Sequence, residues 1–142
     1  MKINFHFPTF IITALAFSLI LLAGFTVMQQ DTGYVLDHEK DIANEDAGPH
    51  NGGGKTTAYS FFSKFKGGKV AFRKRVLHPG SSIGYHPQNE QEIYYILNGK
   101  GDLQMNGKTI TVSTGDGILT LPGSSHGLKP AGNENLTVLI VY

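Results

Sequence analysis

From Thr57 to the end of the chain, apolar and polar residues alternate in short bursts separated by turn-forming residues. This pattern predicts strands over Thr57–Phe62, Val70–Leu77, Ile93–Leu97, Gly101–Met105, Lys108–Val112, Ile118–Leu121 and Asn135–Tyr142. Leu136, Val138, Ile140 and Tyr142 alternate with Thr137, Leu139 and Val141, as a strand with two distinct faces requires. Asn106-Gly107 joins two such arms, and both residues tolerate the positive φ of a type I′ hairpin turn. Pro79-Gly80, Gly115-Asp116-Gly117, Pro122-Gly123 and Gly132-Asn133 punctuate the rest. Short strands at intervals of about 8–12 residues predict an all-β sandwich or small barrel. No stretch after residue 30 carries helical periodicity.

The beginning of the chain follows a different pattern. Phe10–Met28 is a run of 19 residues without a charge, behind Lys2. Its length lies between the apolar core of a cleaved signal peptide and a membrane span. Residues 1–28 are therefore expected to be a signal peptide or membrane anchor. Residues 29–56 are polar, acidic and glycine-rich, which predicts a flexible linker, with the β-barrel domain at 57–142. This organisation implies an exported protein, periplasmic or extracellular, with a possible membrane tether through residues 10–28.

Composition narrows the function classes. Eighteen glycines and six prolines in 142 residues favour many turns over a helical bundle. The absence of cysteine excludes disulfides, zinc–thiolate sites and a cysteine nucleophile. Acidic residues gather in 31–50, whereas Lys64, Lys66, Lys69, Arg73, Lys74 and Arg75 cluster later. No nucleic-acid fold motif accompanies that cluster, so it reads as solvated strand faces and no nucleic acid is expected as partner.

The candidate chemistry lies in Gly80–Gly101. His86, Gln88, Glu90 and Glu92 occupy every second position ahead of the apolar run Ile93–Leu97. On an extended strand these four would share one face. An imidazole, an amide and carboxylates on one face make either a metal site or a wet strand surface, and His86 or Glu92 alone fits both readings. His126 stands some forty residues later and would join them if the chain closes into a barrel. Ser124-Ser125-His126 lacks the strand–turn–helix elbow of a hydrolase. Asn51–Thr57 lacks phosphate-loop spacing. Tyr94 and Tyr95 are neighbours, so only one of them can face inward.

Gly80-x5-His86-x-Gln88-x3-Glu92-x6-Gly99, followed by Gly115-Asp116 and Pro122-Gly123-x2-His126, resembles the two motifs of the cupin superfamily in order. The resemblance covers roughly residues 50–142. It implies a cupin-type double-stranded β-helix, a jelly-roll barrel preceded by the hydrophobic N-terminal segment. It also implies that His86, Glu92 and His126 ligate a metal, with Gln88 where the family places a second histidine. The amide is a weaker, neutral donor that either ligates or holds a water. Six residues separate Gly115 from Pro122, one more than in the family's second motif, and the final Asn of that motif has no match. Related small cupins place an N-terminal histidine near the pocket, but His50 beside its glycine run fits a linker better. His78 reads as structural or exposed.

The expected cofactor is one divalent metal ion (Mn, Fe, Ni or Zn), and the expected ligand a small polar molecule such as a sugar or organic acid. As an enzyme, the protein could use Glu90 as general base. The alternative is a non-catalytic binding module at the cell envelope. Catalytic residues are not specified by the pattern. The resemblance also implies a homodimer, with Thr57–Leu77 pairing with a partner sheet.

Overall fold

A computed structural model describes residues 33–142. The segment expected to be a signal peptide or anchor lies outside the described residues. No helix among the described residues is long and apolar enough to cross a membrane.

Ten strands form two sheets that enclose one core. In chain order they are β1 (Ala43–Gly48), β2 (Gly53–Phe61), β3 (Phe72–Leu77), β4 (Ile83–Pro87), β5 (Glu92–Asn98), β6 (Lys100–Met105), β7 (Lys108–Ser113), β8 (Gly117–Thr120), β9 (Ser125–Pro130) and β10 (Leu136–Val141). Among the described residues, one helical turn, α1 (Glu39–Ile42), precedes them. The six-stranded sheet has the order β1-β2-β3-β10-β5-β8, the four-stranded sheet β4-β9-β6-β7, and every pairing is antiparallel. This is the expected all-β jelly-roll barrel. Asn106 (φ 49°) and Gly107 (φ 78°) form the two-residue turn between Met105 and Lys108.

The register shows what faces inward. On the larger sheet Leu77 pairs with Leu136, Arg75 with Val138 and Arg73 with Ile140. Ile96 stands beside Val138, Tyr94 beside Ile140, and Glu92 beside Thr120. Leu77, Ile96, Leu136 and Val138 are fully buried and meet Leu103, Val112 and Leu128 from the smaller sheet. The opposite face of β5 and β8 presents Ile93, Tyr95, Leu97, Leu119 and Leu121 to solvent.

The linker expectation for 29–56 requires correction. Ala43–Gly48 forms a strand against Gly53–Tyr59, and the hairpin turn packs tightly on the barrel. Little of this segment is apolar, so its hydrophobicity gave no sign of order. Its anchorage is through the backbone: β1 pairs along the edge of β2, and the Gly84 N–H donates to the Pro49 carbonyl at 2.9 Å. Ser82 Oγ donates to the Gly52 carbonyl at 2.8 Å. At Gly52 a Cβ would collide with the Ser82 carbonyl, so the glycines serve close approach here. Upstream, Asp37 accepts from the Phe62 N–H at 2.6 Å and Glu39 pairs with Lys74, tying the arm to the sheet.

Candidate metal centre

His86 and Glu92 do not lie on one strand. β4 belongs to the four-stranded sheet, β5 to the six-stranded sheet, and residues 88–91 turn between them. The alternation from 86 to 92 is therefore not the cause of their proximity; they face each other across the interior. Glu90, exposed in that turn, lines a separate concavity with Phe61, Phe62 and Phe65 and does not join the cluster.

A bulge aims His86. Ile83 pairs with Leu128 and His86 with His126, so three steps on β4 oppose two on β9. In a regular strand residues 83 and 86 would point to opposite faces, but the extra residue lets both line one cavity. Gly84, in the bulge, has no room for a side chain, because a Cβ would meet the His50 carbonyl. Facing it, Gly127 lies against the backbone of Ile83 and Tyr85.

One donor atom from each of His86, Glu92 and His126 lies within 4.8 Å of the others. His86 Nδ1 lies 2.8 Å from the Gly84 carbonyl. A carbonyl can only accept, so Nδ1 carries the proton and Nε2 keeps its lone pair. His126, fully buried, has Nδ1 3.1 Å from Thr120 Oγ1. Its Nε2 approaches Glu92 Oε2 to 3.1 Å, yet both atoms are without a hydrogen-bond partner. The closeness is that of an ion pair, but the geometry is not that of a hydrogen bond. A proton on Nε2 would be wasted, so the tautomer that donates Nδ1–H to Thr120 is favoured, again leaving Nε2 open. Two imidazole lone pairs and an orphaned carboxylate oxygen converge in a buried place. That donor set fits a divalent transition-metal ion.

Gln88 lines the same cavity, of about 210 Å³, with His50, Arg73, Arg75, Tyr94 and Tyr142. The Gln88 backbone also joins the two motif segments: its N–H donates to the Ser124 carbonyl at 2.8 Å, and its carbonyl accepts from Gly123 at 2.9 Å. Burial pushes the Tyr94 phenol well above its usual range, and the adjacent Glu92 adds to this, so the hydroxyl stays protonated. Burial, more than any charge, lowers the Arg75 guanidinium; Asp46 opposes that fall and Arg73 reinforces it.

Three lining residues escaped the sequence reading. His50, assigned to the linker, stacks on His86 with ring centroids 3.5 Å apart and planes within 3°. Its ring is open to solvent on one side, but desolvation of the covered face, with the His86 charge next in effect, holds it below the usual histidine range. No local signal pointed there, because a turn closed by a distant backbone contact delivers it. Arg73 and Arg75 were read as solvated, although they sit at i−4 and i−2 from Leu77, in phase with a core position. His78 is structural, bonding Thr57 and Asn135 through its two ring nitrogens at 3.1 Å each.

A family model described as "Cupin domain" matches residues 74–142. An oxalate-binding protein of Thermotoga maritima is 34% identical over 117 residues, 80% of this chain and 97% of that protein. The crystal structure of a predicted oxalate decarboxylase from Thermotoga maritima superposes with a TM-score of 0.68 at 32% identity, covering 75% of this chain and 96% of that one. A polyketide cyclase from Streptomyces resistomycificus shares the fold at 22% identity, with a TM-score of 0.66 over 77% of this chain and 78% of its own.

Proposed function

The chain belongs to the cupin family, and on that premise we propose that it is an exported binder of a small organic acid, dependent on one divalent metal ion. His86, Glu92 and His126 would hold the ion, with Gln88 as the fourth donor. The observation that carries this reading is the buried convergence of their donor atoms, two of them orphaned at 3.1 Å from each other. When bound, the ion would supply Lewis-acid attraction for a carboxylate oxygen. The two oxalate-named relatives support an organic acid over a sugar.

Recognition is favoured over turnover because Glu90, the general-base candidate, stands outside the cavity. Turnover is the second reading, since one relative is named for decarboxylation. Residues 10–28 would direct export, placing the barrel outside the cytoplasm or tethering it at the membrane. The exposed apolar strip Ile93, Tyr95, Leu97, Leu119 and Leu121 supports a homodimer through the outer sheet face.

Elemental analysis of the purified protein tests the reading. About one equivalent of metal is expected in the wild type, and His126→Ala and Glu92→Gln should lose it. A folded wild type that takes up no metal under any reconstitution condition would overturn the proposal. Thermal stabilisation by oxalate without product supports the binder, and product formation abolished by chelators supports the enzyme.

A further inference from the structure

β3 alternates in a way the metal cluster does not use. Leu77 points into the core, and with a period of two Arg75 and Arg73 point the same way, while Lys74 turns outward to Glu39 and to the Tyr59 ring. Both arginines line the cavity that holds His86, Gln88 and Glu92.

Neither guanidinium has a carboxylate within ion-pair distance among the described residues. Arg75 is half-buried and spends one donor on Thr56 Oγ1 at 2.7 Å, out of the five a guanidinium offers. Arg73, more open, lies over the Tyr142 ring at 5.2 Å from its centroid. Stacking fixes the plane of the group and leaves its edge free to donate. Glu92 is the sole carboxylate side chain among the lining residues, against two guanidiniums. Arg75 is desolvated with no carboxylate to offset it, Arg73 stands exposed at the cavity's rim, and a bound divalent ion would add to the positive excess. A monoanion would leave most of that excess in place; a dianion would remove most of it.

We infer that Arg73 and Arg75 are ligand-binding residues that take one carboxylate of a short dicarboxylate whose other carboxylate faces the His86–Glu92–His126 cluster. This rests on the reading of the cavity as an organic-acid site. The planar forks match a carboxylate edge, and a cavity of about 210 Å³ limits the ligand to a few carbon atoms.

Calorimetric titration of manganese-reconstituted full-length protein with malonate and with acetate tests it. Wild type should bind malonate more tightly than acetate. Arg75→Gln and Arg73→Gln should each weaken malonate by roughly tenfold or more, as loss of a charged hydrogen bond implies, while acetate changes by less than about threefold. Arg73→Gln guards against a folding defect in Arg75→Gln, because Arg73 makes no side-chain hydrogen bond whose loss would strand a buried partner; melting curves check both. Variants that bind malonate like the wild type, or lose malonate and acetate equally, would overturn the inference. Metal content of the same samples reports separately on the metal reading. If the wild type holds no metal, that reading fails, and the arginine pair stands or falls by malonate binding to the metal-free protein.

Discussion

The barrel interior has two ends built from the same strands with opposite contents. At one end Leu77, Ile96, Leu103, Val112, Leu128, Leu136 and Val138 fill the space between the sheets. At the other, one or two pleats along, stand Arg73, Arg75, Glu92, Tyr94, His86 and His126. β9 shows the change within three residues: Leu128 belongs to the apolar end and His126 to the polar one. The first end can satisfy itself by close packing. The second holds atoms without partners, so its design is completed only by something bound. Stability and function therefore occupy different ends of one cavity, and substitutions should separate them.

The largest expected effect is at the apolar end. Leu136→Ala should cost about 2–5 kcal/mol, because a fully buried side chain leaves a void that the two sheets cannot close. Thermal or denaturant unfolding measures the loss, while metal affinity of the folded protein stays within about twofold if the ends are independent. A parallel loss of metal would mean that the two ends are coupled.

Next comes the joint between the barrel and its N-terminal hairpin. Gly84→Ala places a methyl group against the His50 carbonyl and should cost roughly 1–3 kcal/mol as an overpacked contact. The Pro49–Gly52 turn would lift, taking His50 off His86. Hydrogen exchange at Gly52 and Gly84, whose N–H groups both donate to the Pro49 carbonyl, should rise. Unchanged protection there would mean that the turn is not held by this contact.

How far these ends were legible in the sequence depended on whether local period decided the outcome. The apolar end was open to reading: alternation in Leu136–Ile140 and the Asn106-Gly107 turn specify their own geometry. The metal candidates were found through motif spacing, but the physical picture attached to them, one strand face from 86 to 92, was wrong. A bulge on β4 and a turn at 88–91 put His86 and Glu92 on separate sheets, and Glu90 on neither. Ser125–Pro130 is a strand that contains a glycine, ends in a proline and has no run of β-formers, so it was read only as part of a motif. His50 was suggested by the resemblance alone and not by its own surroundings, because what orders it is the Gly84 N–H and Ser82 Oγ donating to the distant Pro49 and Gly52 carbonyls.

The smallest expected effect is at Thr120, where a substitution perturbs the polar end without removing a ligand. Thr120 sits beside Glu92 on the sheet, and its hydroxyl meets His126 Nδ1. It is fully buried, so water cannot replace it. With Thr120 accepting from Nδ1, the His126 Nε2 lone pair is directed toward Glu92 and open to a metal. Thr120→Val keeps the shape and removes the acceptor, so nothing holds the proton on Nδ1 and the tautomer that opens Nε2 to a metal loses its advantage. Metal affinity should fall by about tenfold, the lower range for partners that orient a ligating histidine. Titration against a chelating metal indicator measures this, and Thr120→Ser should restore affinity because the hydroxyl returns. An unchanged affinity in Thr120→Val would mean that the histidine is oriented by packing against Tyr94 and His86 alone.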